Sequence, residues 1–186
     1  MSLIDKAIRR LQHRATYLRW WFRLRLQVGG RLKLRGHLGG LTVSRSFRCD
    51  GDLWLGIYSE NGEIHIGDCV SASGPLIITA IERVTLGRGV LLGPNIMMTD
   101  HYHGSPRDPD VFDIAPSERS LHTRGPIVIG DFVQVGANTS ILSPTTIGKS
   151  AIIGANSVVS GELKARTVHA GAPARPLNSR LPSAEK

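Results

Sequence analysis

Aromatic residues are scarce in this chain of 186 residues: Phe, Trp and Tyr together make up 5%. A fold organised around large aromatic rings is therefore not expected. Glycine, at 21 residues, and small β-branched side chains fill the gap, a balance that suits a tightly wound β structure. Cysteine is nearly absent as well. Cys49 and Cys69 form neither a CxxC metal knuckle nor a disulfide framework, which points to a reducing, cytoplasmic setting. No run of about 18 apolar residues occurs, so no membrane-spanning helix is expected. The apolar stretch near the start is too short, and too broken by arginine, for a signal peptide. The length suits one domain with enough chain to bury a substantial core.

Acidic residues are almost missing from positions 1–35, which hold ten basic residues and one acid, Asp5; the remainder holds 13 basic and 14 acidic residues. The net charge of +8 thus belongs to an N-terminal arm. Within it, Ile4, Ile8, Leu11, Ala15, Leu18 and Phe22 recur at helical spacing with arginines between them, which predicts an amphipathic helix. RLRLQ (23–27) and RLKLR (31–35) then alternate as strands do, separated by Gly29-Gly30. A basic amphipathic segment over residues 1–26 suits an anionic membrane surface, peripheral to the cytoplasmic membrane, or packing on the body of the protein. Nucleic acid is not expected as a partner, because the body has no basic face and no reading module. The chain divides into this arm (1–35), a body (36–171) and a tail (172–186).

The body carries a repeat. Ile129, Val135, Ile141, Ile147, Ile153 and Val159 stand at strict spacing of six. An earlier array (Ile66, Ala72, Ile78, then Leu86, Leu92, Met98) shares the spacing, with a slip of two residues between Ile78 and Leu86. A sustained period of six marks a parallel β-helix in which each repeat is one short strand and its corner. A second period lies over the first. The residue following each aliphatic is Gly130, Gly136, Leu142, Gly148, Gly154 and Ser160, so glycine is missing every third time. Three strands per turn of about 18 residues produce this pattern, and the repeat length predicts roughly five coils about 4.8 Å apart.

The ladder is interrupted over residues 99–128, a long loop that starts on the third face and rejoins on the first. Long polar loops within compact folds commonly carry function. The interruption opens with TDHYHG (99–104). Two histidines and an aspartate within four residues suit a metal site, a catalytic base with its helper, or a plain polar loop.

The hexapeptide ladder, the DHxHG break, GPIVIGDFVQVGANTSIL, IGANSVVS and the closing AGAPAR resemble the hexapeptide-repeat acyltransferases with a left-handed parallel β-helix. The likeness covers about residues 62–177. Within that superfamily they are similar to bacterial sugar O-acetyltransferases of polysaccharide and lipopolysaccharide assembly and to the galactoside and maltose acetyltransferases. The resemblance implies the left hand of the coil, a homotrimer, acetyl-CoA as acyl donor bound between subunits, and a saccharide acceptor of a bacterial envelope polysaccharide or its precursor. It assigns His101 as general base. Asp100 and His103 are candidates to orient that base or bind the acceptor, and Asp113 is a further candidate to orient it.

For the donor, the resemblance points to Gln134, Ala137, Ala155, Ser160, Gly161 and Arg175. Gln134 stands where relatives often carry a tryptophan beside the pantetheine arm. Ser160-Gly161 stands where they often carry Thr-Lys, with Lys164 or Arg166 as nearby substitutes. Two rival readings remain. A γ-class carbonic anhydrase would share the fold and hold zinc on three histidines, for which His101, His103 and His122 are available. No histidine falls in the ladder at coil-separated spacing to complete a rigid site, so no metal is expected. A non-catalytic β-helix scaffold is the other rival, and the DHxH break and AGAPAR tail argue against it.

Overall fold

The structure, a computed structural model, describes residues 3–25, 27–105 and 107–177. The end of the tail, residues 178–186, lies outside the described residues. After one helix, α1 (Leu3–Arg25), the chain winds into a parallel β-helix with three faces. The first face stacks Leu41–Val43, Glu63–Ile66, Arg83–Leu86 and Ile127–Ile129, followed by the later parts of Ser140–Ile147 and Val158–Leu163. The second stacks Arg48–Cys49, Ser71–Ala72, Leu91–Leu92, Gln134–Val135, Ile152–Ile153 and Val168–Ala170. The third stacks Leu32–Gly36, Leu53–Ile57, Leu76–Ala80 and Ile96–Thr99, then the early parts of Ser140–Ile147 and Val158–Leu163.

Alternation along each short strand sends every second side chain inward, and coil-to-coil register aligns like with like. One interior row reads Val43, Ile66, Leu86, Ile129, Ile147, Leu163. The third-face row reads Leu34, Leu55, Ile78, Met98, Ile141, Val159. All twelve are buried, each contributing about 1.5–3 kcal/mol of transfer free energy. Each row has six members, so the solenoid has about six coils and not the five expected from the repeat. The first coils are long: Val43 pairs with Ile66, 23 residues on, while Ile129 pairs with Ile147, 18 residues on. Long corners hide the period there. The alternating segment at 31–35, read as part of the arm, lies largely in the first third-face strand, Leu32–Gly36.

The missing glycine has a steric origin. At the two tight corners the backbone of one coil lies directly against the next. A Cβ on Gly130 would sit 2.8 Å from Lys149 N, and one on Gly136 would sit 2.5 Å from Ala155 N. Between the third and first faces the chain crosses almost straight, as the continuous strand Ser140–Ile147 shows, and side chains fit. The tight corners also need a left-handed residue. Phe132, Ser150 and Arg166 supply it at one edge, with φ of 58°, 58° and 56°; Asn95, Asn138 and Asn156 supply it at the other, with φ of 58°, 57° and 57°. Those asparagines form a ladder of side-chain amides, Asn95 Nδ2 to Asn138 Oδ1 at 2.9 Å and Asn138 Nδ2 to Asn156 Oδ1 at 3.1 Å.

The open N-terminal end of a β-helix exposes edge strands and its apolar interior. Here α1 covers it with Trp20 and Leu24, both buried, and with Tyr17 and Trp21 packed beside them. The Arg23 guanidinium donates to Val43 O at 2.7 Å and lies over the Trp20 ring at 4.8 Å. The helix continues through Arg25, past the switch to strand expected at residue 23. The covering face is also not the aliphatic stripe picked out by spacing: Leu11, Ala15, Leu18 and Phe22 are exposed. Among the described residues, no helix is long and apolar enough to cross a membrane.

At the C-terminal end the interior turns polar. Thr139 and Ser157 are buried and donate to Gly136 O at 2.8 Å and Gly154 O at 2.6 Å. His169 ends the second-face row Cys49, Ala72, Leu92, Val135, Ile153. Burial holds its imidazole below the ordinary value of 6.5. A depressed histidine is protonated more readily in the unfolded chain. Its contribution to stability is therefore complete above about pH 6.5 and is lost as pH falls further. Thermal melts are expected to fall between about pH 7 and pH 5, and less steeply in His169→Gln. Parallel curves for the two proteins would remove His169 from this role.

Candidate active site

The excursion runs from Asp100 to Pro126, since Thr99 still belongs to a third-face strand and Ile127 to a first-face strand. It is ordered. His101–His103 pairs antiparallel with Leu121–Thr123, and Gly104 N donates to Ser120 O at 2.9 Å. Two 3-10 turns, Pro109–Asp113 and Pro116–Glu118, fill the tip, with Val111 buried beneath it. The hairpin is tied to the ladder at one corner. Tyr102 donates its phenol to Ser143 O at 2.6 Å, and the Ser143 hydroxyl donates to Gly125 O at 2.7 Å.

The chain's departure leaves a deficit in backbone bonding. Corner amides in a β-helix normally donate to the next coil. At Ile81, Glu82 and Arg83 the next coil has turned away into the excursion. Asp100 meets the deficit: its carboxylate accepts from Ile81 N, Glu82 N and Arg83 N, each at 2.8 Å. Asp100 is fully buried, and these charge-assisted bonds offset its desolvation.

The same carboxylate accepts from His101. Nδ1 lies 3.0 Å from Asp100 Oδ1, and the bonding pattern assigns the proton to Nδ1, which leaves the lone pair on Nε2. Nε2 has no partner among the described residues. The imidazole side chain is 10% exposed, and Tyr58 packs edge-on against it with ring centroids 5.6 Å apart. An imidazole hydrogen-bonded to a buried carboxylate, with its other nitrogen open, is an arrangement suited to proton abstraction.

Two clefts lie along the hairpin that carries His101, lined by neighbours of the dyad and not by Asp100 or His101 themselves. The larger, about 850 Å³, is lined in part by Glu82, His122, Thr123 and Arg124. The smaller, about 210 Å³, is lined in part by Tyr102, His103, Phe112 and Arg119. His103 lines the smaller cleft and has no bond to Asp100 or His101 among the described residues, and Asp113 is exposed at the end of its 3-10 turn with no bond to His101. His101, His103 and His122 do not converge: the Nδ1 of the first is taken by Asp100, and the other two line different clefts. Among the described residues, no group of three or more His, Cys, Asp or Glu side chains is arranged to hold a metal ion.

The residues expected to bind the donor lie elsewhere on the prism. Ala137 and Ala155 sit on the edge between the second and third faces, one coil apart, and their N–H groups have no acceptor among the described residues. Gln134 is exposed on the second face. Ser160 and Gly161 are exposed within Val158–Leu163, and Arg175 is exposed in the short final strand, its guanidinium donating to Ala174 O at 3.0 Å. Spacing alone did not reveal Tyr58 or the 81–83 corner. The Gly-Ala-Asn triplets at 136–138 and 154–156 did carry a visible signal for the asparagine edge.

The family model for the bacterial transferase hexapeptide (six repeats) matches residues 126–161. WbbJ of Escherichia coli K12, which bears the name of a lipopolysaccharide biosynthesis O-acetyl transferase, is 36% identical over 140 residues, covering 74% of this chain and 70% of the relative. The galactoside O-acetyltransferase of the same strain is 32% identical over 123 residues, covering 63% of this chain and 55% of that protein. Among solved structures, a maltose O-acetyltransferase from Clostridium difficile 630 superposes with a TM-score of 0.55 at 27% identity, covering 83% of this chain and 71% of the other.

Asp100→Asn turns an NH2 group toward backbone donors. The loss of acceptor capacity is expected to cost about 1–3 kcal/mol, read as a melting temperature lower by about 3–10 °C. An unchanged melt would mean that the 81–83 amides are satisfied in some other way.

Proposed function

This chain belongs to the hexapeptide-repeat acyltransferases, and on that premise we propose that it moves an acetyl group from acetyl-CoA to a sugar hydroxyl of an envelope polysaccharide or its precursor. His101 is the general base. The observation that carries this reading is the Asp100–His101 pair, anchored on three corner amides with Nε2 open at the point where the chain leaves the ladder.

His101 Nε2 takes the proton of the acceptor hydroxyl as that oxygen attacks the thioester carbonyl. Asp100 keeps Nδ1–H in place and balances the imidazolium that forms. A backbone amide of the ladder stabilises the tetrahedral oxyanion. Collapse breaks the carbon–sulfur bond, and the proton on Nε2 passes to the CoA thiolate. The acetylated sugar and CoA–SH leave.

The donor is proposed to run along the edge that carries Ala137 and Ala155, whose free N–H groups suit the pantetheine carbonyls, with Gln134 beside it. Ser160, Gly161 and Arg175 lie toward the nucleotide end. That edge and His101 flank opposite sides of the third face. Apposing the second-third edge of one subunit and the third-first edge of its neighbour brings them together, which supports a homotrimer with sites between subunits.

The helix adds a location. With its aromatic face packed on the body, α1 turns Leu11, Leu18 and Phe22 outward, at 66%, 52% and 66% exposure, within a strongly basic segment. An exposed apolar stripe with arginine neighbours suits an anionic membrane surface, where a lipid-linked acceptor would be found.

His101→Ala is expected to lower turnover about 10²–10⁴-fold with the oligomer intact, measured by thiol release from acetyl-CoA and by mass analysis of the sugar. Transfer close to wild type would remove His101 from its role. Phe22→Asp is expected to weaken cosedimentation with phosphatidylglycerol vesicles at least about tenfold without changing the thermal melt. Equal binding of the two proteins would discard the membrane reading.

A further inference from the structure

The larger cleft beside the dyad has a chemistry of its own. Arg107 and Arg124, from opposite ends of the excursion, both line it, and His122 joins them. Neither guanidinium has a carboxylate partner among the described residues. The acids of the excursion, Asp108, Asp110, Asp113 and Glu118, stand outside its walls. The one wall carboxylate, Glu82, accepts from the Thr123 hydroxyl at 3.2 Å. Among the described residues, no phenyl, phenol or indole ring lines the space, so it lacks the stacking platform that a neutral sugar would use.

We propose that this cleft binds an anionic group, a carboxylate or a phosphate, carried by the acceptor sugar. The inference rests on the acetyl-transfer reading and specifies its substrate class. The guanidinium fork matches the paired oxygens of either anion, and two arginines lining one space can both reach it. The volume of about 850 Å³ holds a substituted saccharide.

Position links the cleft to the chemistry. Thr123 is the cross-strand neighbour of His101, and the Glu82 amide donates to Asp100 at 2.8 Å. The walls of the cleft are thus built from the residues that hold the base. Arg124 is fixed at a corner, its N–H donating to the Ser143 hydroxyl at 3.2 Å, while the next residue, Gly125, donates to Thr123 Oγ1 at 3.1 Å. The proposal requires that an anion seated on the arginines leave a hydroxyl of the same sugar within reach of Nε2.

The test uses the full chain and matched sugars: glucose and galactose, their 1-phosphates, and glucuronate and galacturonate. Calorimetry without donor measures binding; thiol release with acetyl-CoA measures transfer. The expected result is a preference for anionic over neutral sugars of at least about tenfold that collapses in Arg107→Ala/Arg124→Ala and survives in Arg45→Ala/Arg48→Ala, a charge-matched change at two exposed sites. Preference for the phosphates identifies a sugar phosphate as the source of the anion, and preference for the uronates identifies an acidic sugar. Equal binding of neutral and anionic sugars, no binding of any, or an unaltered preference in the double variant would overturn the proposal. Anion binding that depends on the arginines without any transfer leaves the cleft standing and refutes the acetyl-transfer reading instead.

Discussion

Coil-to-coil backbone hydrogen bonding is the constraint on which this molecule is built. A parallel β-helix satisfies nearly all its peptide groups by stacking each coil on the last, so every coil must repeat the path of its predecessor. Interior rows of aliphatics, glycine at the tight corners and left-handed asparagines at one edge all follow from that repetition. The constraint also makes departures costly. Where the chain leaves the ladder, amides on the coil below lose their acceptors.

The candidate site grows from that departure. Asp100 takes over the bonding that a continuing strand would have supplied to Ile81, Glu82 and Arg83. A carboxylate so placed is buried and immobile, and it sits next in sequence to His101. The structural repair and the orientation of the base are therefore one interaction. The excursion then folds back as a hairpin pinned at Ser143, beside a cleft lined by Arg107 and Arg124.

The N-terminal end follows the same logic. An unpaired first coil needs a cover, and α1 provides it with Trp20 and Leu24 buried and Arg23 on a carbonyl of the edge strand. Four of the ten aromatic residues stand in this helix, and Trp20 is buried where the flat apolar end is closed. Leu11, Leu18 and Phe22 of the helix are left facing outward, free for a second contact.

The period, its three-face phase, the exit corner and the adjacency of Asp100 to His101 were legible in the chain, because each is a matter of spacing along it. The repeat length gives one coil too few, since the long corners of the first coils break the period while the stacking continues. Other features needed the folded molecule. The 81–83 amides meet Asp100 only because one coil lies on the next. Arg107 and Arg124 share a cleft only because the hairpin closes. Which face of α1 is buried was decided by the shape of the solenoid's end, which fits Trp20 and Leu24. The sequence alone determined where the ladder is and where it breaks, by local periodicity. The tertiary structure alone decided what gathers at the break, because contacts between coils join residues that spacing keeps apart.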